Sequence, residues 1–465
     1  MAAYPRRYSL VPRDVPRVQT AHRRIVTRLP VPESLPILER LERFEPSSMQ
    51  GQPPVVIDHA EGWHVHDRWG NMWLDWSSGV LISNIGNSNP VIVAALREVL
   101  DRPLLRTYVF SHEMRAELAE LLVGLAPTSD YKAFLLSTGS EATENCIKLA
   151  KTYGQERYGP ERRILVSFAN AFHGRTMGAQ LAGGSERQKK WLGRTDDSFV
   201  QVPFPDGYKN PDTRFDLFLE TLAARGITPD QVCGVMAESF QGVGPDFFPL
   251  EYARSLEAWC RQNDALLIMD EVQAGFGRTG TWFAFENYGI KPDLIACGKG
   301  ISSSLPISAV LGRTDVMELY PPGSMTSTHS GSPLPVAAAL ANIKFLKEGG
   351  FLANARALDP VLREGLLGLQ KLHPRQAGCV HSRGLVAGIQ IVRPGTREPD
   401  PATALALNER CFQKGLLMFA PVGVAGECIK IAPALDISRE ALDEGIQTLG
   451  EAMDEILERA EAART

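Results

Sequence analysis

An α/β protein is expected, with a mostly parallel sheet covered by helices on both faces and a smaller α+β unit beside it. Three observations predict this. From about residue 90, helical patterns alternate with short apolar runs, the rhythm of βα units. Several of those runs carry no polar residue, as strands buried on both faces require. After a helical stretch at 333–347 the alternation gives way to a sparser mixture of helices and strands. At 465 residues the chain is long for a single core. The expected division is an N-terminal segment over 1–85, a large unit over 86–345, and a smaller unit over 346–465.

Composition narrows the function. The chain is 44% hydrophobic and 22% charged with a formal net charge of −5, which gives no reason to expect nucleic acid or an anionic membrane as partner. No apolar run reaches the roughly 18 residues a membrane span needs. Seven cysteines (146, 233, 260, 297, 379, 411, 428) form no C-x-x-C pair, which argues for a reducing compartment and against a zinc site. A cytoplasmic protein without a structural metal is expected.

Residues 1–28 hold seven arginines, one acidic residue and three prolines. Such a segment is either a transit peptide or, as its prolines favour, an arm lying on the body or on a partner subunit. Residues 34–44 read as an amphipathic helix. Strands follow at WHVHD and MWLDW, joined by a turn at Arg68–Asn71. His64 and His66 share a strand face, but with no third ligand nearby a solvated face is the better reading. Helices are predicted over 91–101, 114–125, 141–153, 214–225 and 250–263. Strands are predicted at 134–136, 164–168, 234–237, 265–269, 294–297 and 307–311. Beyond 347, strands near 383–392 and 427–432 and helices over 402–415 and 438–460 complete the pattern.

Two strand ends carry the chemistry. The run Ala265–Met269 delivers Asp270 and Glu271 at its carboxyl end, where open α/β sheets place their ligands. The run Leu294–Cys297 delivers Lys299 between two glycines. An amine and a carboxylate so placed suit pyridoxal phosphate, which needs a lysine imine at one end and an acid beside its ring nitrogen at the other. Ser137-Thr138-Gly139-Ser140-Glu141-Ala142 joins a strand to a helix expected to begin just after Ser140. Its small residues leave backbone N–H groups free as a phosphate seat. In Ala171-Phe172-His173-Gly174-Arg175-Thr176, Phe172 is suited to stack on the pyridine ring and Arg175 to meet a substrate carboxylate. GFGRTG at 275–280 also matches the dinucleotide fingerprint, but the acidic residue it requires would be Asp293, which precedes a strand instead of ending one.

GSEA, FHGRT, Asp270-Glu271-Val272-Gln273, Gly277-Arg278-Thr279-Gly280 and Lys299-Gly300 occur in the order and spacing of the class III aminotransferases. The chain resembles that family from about residue 50 onward, the fold-type I subgroup of the 4-aminobutyrate, ornithine and ω-amine transaminases. The resemblance implies a seven-stranded sheet in the large domain and a small domain built from both chain ends. It implies a homodimer, or a tetramer built from it, with active sites at the subunit interface. Lys299 is then the lysine that carries the cofactor and moves the proton, and Asp270 the partner of the ring nitrogen. Val272 and Phe172 pack on the two ring faces, with His173 beside them, and Gln273 reaches the phenolic oxygen. Gly139 and Ser140 bind the phosphate, and Thr328 reaches it from the neighbouring subunit.

Substrate residues depart from the family. Lys430 stands where an arginine commonly grips the α-carboxylate of the acceptor; it keeps the charge and loses the two-pronged geometry. Glu238, in AESFQG, occupies the place of the glutamate that screens that arginine, so the pair is expected to act as a softened switch. Asn87-Ser88-Asn89 replaces the usual H-x-H, and nothing in the sequence explains it. Parts of the chain also resemble dialkylglycine decarboxylase, but Val80 stands where that branch has a glutamine, and Lys430 again replaces the arginine. Racemases and epimerases of the subgroup are the stronger alternative, although some use a tyrosine where this chain has Phe172. Phe110, Trp76, Leu81 and Ile82 are candidates for an apolar wall toward an ω-amino acid or hydrophobic amine. The expected activity is transamination from such a donor to a 2-oxo acid.

Overall fold

A computed structural model describes residues 8–106, 109–193 and 196–462. The chain divides into two compact units, Pro90–Leu352 and the combined segments Met1–Asn89 and Ala353–Thr465.

Pro90–Leu352 is built on one sheet of seven strands: β1 Tyr131–Leu136, β2 Ile164–Phe168, β3 Phe199–Val202, β4 Val232–Glu238, β5 Leu266–Asp270, β6 Leu294–Cys297 and β7 Ser308–Arg313. Their spatial order is β1-β7-β6-β5-β4-β2-β3. Only β7 runs against its neighbours; the pairs β6–β5, β5–β4, β4–β2 and β2–β3 are parallel. Every residue of β4, β5 and β6 is buried, which is why these strands read as apolar runs and not as alternating ones. The edge strand β3 (FVQV) alternates buried and half-buried residues and was not among the six predicted runs. Polar Gln201 breaks its apolar pattern.

The helix Gly139–Tyr158 shows how the large core closes. Ala142, Cys146, Leu149, Ala150 and Tyr153 recur at helical spacing and pack with Leu165, Met236, Ile268, Ala296 and Val310 from five strands. It begins at Gly139, not after Ser140 as the pattern implied, because Thr138 caps it. A Cβ at Gly154 would lie 2.7 Å from the Cβ of Cys233, so this helix lies close on the sheet only with glycine there.

The other unit contains two sheets. In the first, Val18–Gln19, Arg24–Ile25, Met72–Asp75, His64–His66 and His59–Glu61 pair antiparallel in that order, and Leu416–Leu417 joins Met72–Asp75 in parallel. The second is antiparallel with order β8 Ala377–Arg383, β9 Val386–Ile391, β10 Cys428–Ile431. Helices Pro401–Gln413 and Arg439–Ala462 pack on one another. The helix Phe351–Leu372 and strand β8 were not expected; Pro360 inside that helix hides it from a pattern-based reading.

Residues 1–7 of the arginine-rich segment lie outside the described residues. The remainder lies on the body. Tyr8 donates to Asn408 Oδ1 (2.6 Å), and Arg23 donates to Glu444 Oε1 (2.6 Å) and the Lys414 carbonyl (2.7 Å). His64 stacks on His22 with ring centroids 5.6 Å apart, and His66 on His59 at 4.4 Å. Among the described residues no group of three or more potential ligands is placed to hold a metal. No helix among them is long and apolar enough to cross a membrane.

Candidate active site

Beyond the carboxyl ends of β4, β5 and β6 lies a cavity of about 170 Å³, lined by Thr138, Gly139, Ser140, Phe172, His173, Gly174, Glu238, Asp270, Val272, Gln273 and Lys299. Parallel pairing places its acids in one row, because Asp270 of β5 is in register with Glu238 of β4. Lys299 follows β6 after Gly298, in the left-handed region at φ 41°. A non-glycine residue is held there only when its surroundings over-determine it, and such strain gathers at functional sites.

The adjacent acids of β5 separate in role. Asp270 lines the cavity, and its Oδ1 accepts the Val272 N–H at 3.0 Å. Its Oδ2 lies 2.8 Å from Nδ1 of the buried His173, whose carbonyl accepts the Thr143 hydroxyl at 2.7 Å. Burial disfavours a charged His173, but the hydrogen bond and charge of Asp270, helped by Glu238, outweigh it and raise the imidazole above its ordinary value. Glu271 turns the other way. It accepts the Ser239 hydroxyl and the N–H groups of Phe285 (3.1 Å) and Ala284 (2.9 Å), bracing the segment beyond the GFGRTG loop. Burial pushes its carboxyl up to about 7.

Glu238 also braces. Its Oε2 accepts the Phe172 N–H and its Oε1 the Gly242 N–H, both at 2.8 Å. Burial pushes it up to about 7 against the pull of His173. Burial lowers the Lys299 amine, with Asp270 and Glu238 opposing. A lowered amine has a larger neutral fraction at neutral pH, which nucleophilic attack needs.

The residues present fit pyridoxal phosphate. The capping box ties the Thr138 and Ser137 N–H groups to Glu141 Oε2, each at 2.9 Å. The N–H groups of Gly139 and Ser140, at the start of a 20-residue helix, have no partner among the described residues. N–H groups so placed suit an anion. A Cβ at Gly139 would come within 2.7 Å of Val272 Cγ1, and one at Gly298 within 3.0 Å. The wall around Val272 is therefore built to glycine tolerance. Gly174 allows the loop after β2 to close against Ser140.

The remaining predicted residues lie elsewhere. Arg175 is exposed and does not line the cavity; its guanidinium sits 5.7 Å from the Phe172 ring centroid. Thr328 is exposed in the segment before helix Pro333–Glu348. Lys430 belongs to the other unit, 2% exposed on β10 and paired with Gly388. Val80 and Leu81 are in that unit too, in a left-handed turn: φ is 45° at Ser78, 58° at Gly79, 67° at Val80 and 61° at Leu81. Nothing in the residue pattern announces that turn, and Val at positive φ is costly. Trp76 and Leu81 are core residues, whereas Phe110 is 57% exposed. Thr138 and Gly174 were missed as cavity residues, although the T-x-x-E spacing of Thr138 and Glu141 signals the cap.

Comparison with known proteins agrees with this geometry. The family description "aminotransferase class-III" matches residues 47–453. The chain is 33% identical to a 4-aminobutyrate aminotransferase of Mycobacterium leprae over 440 residues, 92% of this chain and 97% of that protein. It is 28% identical to an alanine/serine racemase of Pyrococcus horikoshii over 467 residues, 97% of this chain and 96% of that one. A Bacillus anthracis aminotransferase crystal structure superposes with a TM-score of 0.82 at 28% identity, over 91% of this chain and 99% of that one. With Lys299, Asp270 and the helix N-terminus gathered at one cavity, the chain belongs to the class-III aminotransferases and is a pyridoxal phosphate-dependent transaminase of fold type I.

Proposed function

We propose that the protein transfers nitrogen from an amine or ω-amino acid to a 2-oxo acid, in two half-reactions at the Lys299 cavity. The observation that carries this reading is the joint lining of that cavity by Lys299, Asp270 and the helix start at Gly139 and Ser140. When bound, pyridoxal phosphate supplies the carbonyl that takes up the substrate nitrogen and a ring that accepts the electrons of the bond broken at the substrate carbon.

The chain's residues do the rest. Gly139 and Ser140 bind the phosphate through their N–H groups, and Thr328 of a second subunit completes the seat in a cytoplasmic homodimer. Phe172 and Val272 hold the ring between them, and Gln273 donates to its phenolic oxygen. Asp270, oriented by His173 and the Val272 N–H, keeps a proton at the ring nitrogen. Lys299 Nζ, freed when the substrate amine takes its place, carries the proton away from the substrate carbon and returns it.

Lys430 holds the substrate carboxylate as a single point charge, with Arg175 available to a second carboxylate. Glu238 is braced by two backbone N–H groups, one on each oxygen. Acceptor KM unchanged in Lys430→Ala would remove this assignment.

A racemase reading is kept alive by the relative of that activity, and is opposed by Phe172, which has no proton to give. Single-turnover spectroscopy separates the two. Amines and amino acids are offered singly to cofactor-loaded protein without acceptor. Bleaching of the visible band, reversed by pyruvate or 2-oxoglutarate, supports transamination and names the donor. An intact band with loss of optical activity overturns it in favour of a racemase.

A further inference from the structure

We propose that Cys379 is a peroxide-reactive thiol, that His381 takes its proton, and that Gln390 holds the resulting sulfenic acid. The site lies on the β8–β9–β10 sheet, and its residues do not line the Lys299 cavity. It extends the protein's chemistry beyond transamination and does not depend on the substrate assignment.

None of the seven cysteines is in a disulfide, and six are buried; Cys379 alone is partly exposed. Burial pushes the thiols of Cys146, Cys260 and Cys297 up, and those of Cys233 and Cys411 up to about 12, which keeps them neutral and unreactive. Cys379 differs in surroundings as well as in access. Its Sγ lies 3.3 Å from Nε2 of His381. Residues two apart on a strand share a face, so the contact follows from the local conformation of the edge strand β8.

A second observation comes from the neighbouring strand. A bulge between Ala377 and Cys379 shifts the register by one residue and sets Cys379 opposite Gln390 of β9. Paired residues of an antiparallel sheet share a face, with Cβ atoms about 5 Å apart. Gln390 is only 3% exposed, and its Oε1 has no hydrogen-bond partner among the described residues. A buried acceptor left without a donor is uncommon. The thiol is a weak donor; the O–H of a sulfenic acid at the same sulfur is a strong one.

The chemistry balances with hydrogen peroxide as the oxidant. The sulfur of Cys379 attacks one peroxide oxygen, so an S–O bond forms as the O–O bond breaks. Sulfur gives up two electrons, which leave with the second oxygen. The thiol proton passes through His381 Nε2 to that oxygen, and water departs. The product O–H donates to Gln390 Oε1.

The test uses the full-length, cofactor-loaded protein, hydrogen peroxide and dimedone as the sulfenic-acid trap, read by intact and peptide mass spectrometry. One adduct is expected, at Cys379, and none in Cys379→Ser. His381→Ala and His381→Gln are expected to slow labelling by about tenfold or more. Gln390→Leu should leave the initial labelling rate unchanged, shorten the lifetime of the trappable species and raise the yield of sulfinic acid. Labelling of Cys379 no faster than that of free cysteine, or adducts spread over the other six cysteines, would overturn the site. Unchanged labelling in both His381 variants removes the imidazole from it, and an unchanged lifetime in Gln390→Leu removes the amide.

Discussion

In Pro90–Leu352 the polar groups of the cavity stand beyond strand ends, whereas in the β8–β9–β10 sheet they stand along a strand face. Asp270 and Glu238 end β5 and β4, and Lys299 follows β6; inside those three strands every residue is buried. In the smaller sheet, Cys379 and His381 share one face of β8, and Lys430 is in register with Gly388, itself in register with His381. Parallel strands covered on both faces have no place for a charge until the strand stops. An antiparallel edge strand offers a face every second residue. The large unit therefore holds its charges at a few strand ends, and the small unit spaces its polar groups along a face.

The sharpest way to break this comparison is Lys299→Ala. It should lower turnover by about 10³-fold or more while thermal unfolding of the cofactor-free protein stays near that of the parent. Comparable losses from Lys430→Ala would mean that the two regions are not separable. Next in size is Gly139→Val. Branched carbon forced against Val272 Cγ1, where even a Cβ would lie at 2.7 Å, is expected to weaken cofactor binding by about 10- to 100-fold in an equilibrium titration.

Lys430→Ala is expected to raise the KM for a 2-oxo acid by about tenfold. The single-turnover rate with a non-carboxylated amine should stay unchanged. A fall in that amine rate as well would assign Lys430 to the fold.

Glu271→Gln gives the smallest effect and a distinctive sign. Because burial raises Glu271 from its ordinary 4.5 to about 7, its contribution to stability is fully present below 4.5 and is lost as pH rises through 7. The glutamine variant gives up an acceptor for Ala284, Phe285 or Ser239 and should lose about 1–3 kcal/mol at low pH. Its unfolding free energy should nonetheless fall less between about pH 4.5 and 7 than that of the parent. Equal slopes in denaturant titrations would contradict the raised carboxyl.

The apolar runs revealed β2, β4, β5, β6 and β7, and the second half of β1, because strand segments with buried faces admit few polar residues. β3 escaped because Gln201 interrupts it, and helix Phe351–Leu372 because Pro360 sits inside it. Asp270 and Lys299 were legible as charges that end such runs. The residue pattern alone left open which of Asp270 and Glu271 faces the cavity, since consecutive side chains take opposite directions; the family resemblance named Asp270, which lines it. The brace made by Glu238 was equally hidden: its partners, Phe172 and Gly242, use backbone N–H groups that every non-proline residue owns.

By itself, the sequence determined the βα order, the strand ends that carry the acid and the amine, and a helix start close to Gly139 and Ser140. These depend on local patterns of burial and on turn chemistry. Only the tertiary structure decided what depends on register and on distant partners. It turned Glu271 away from the cavity and closed Gly139 and Gly298 around Val272. It wound Ser78–Leu81 left-handed and shifted β8 by one residue to bring Cys379 opposite Gln390. In each case the deciding contact joins atoms far apart in the chain or a backbone angle that residue identity does not encode.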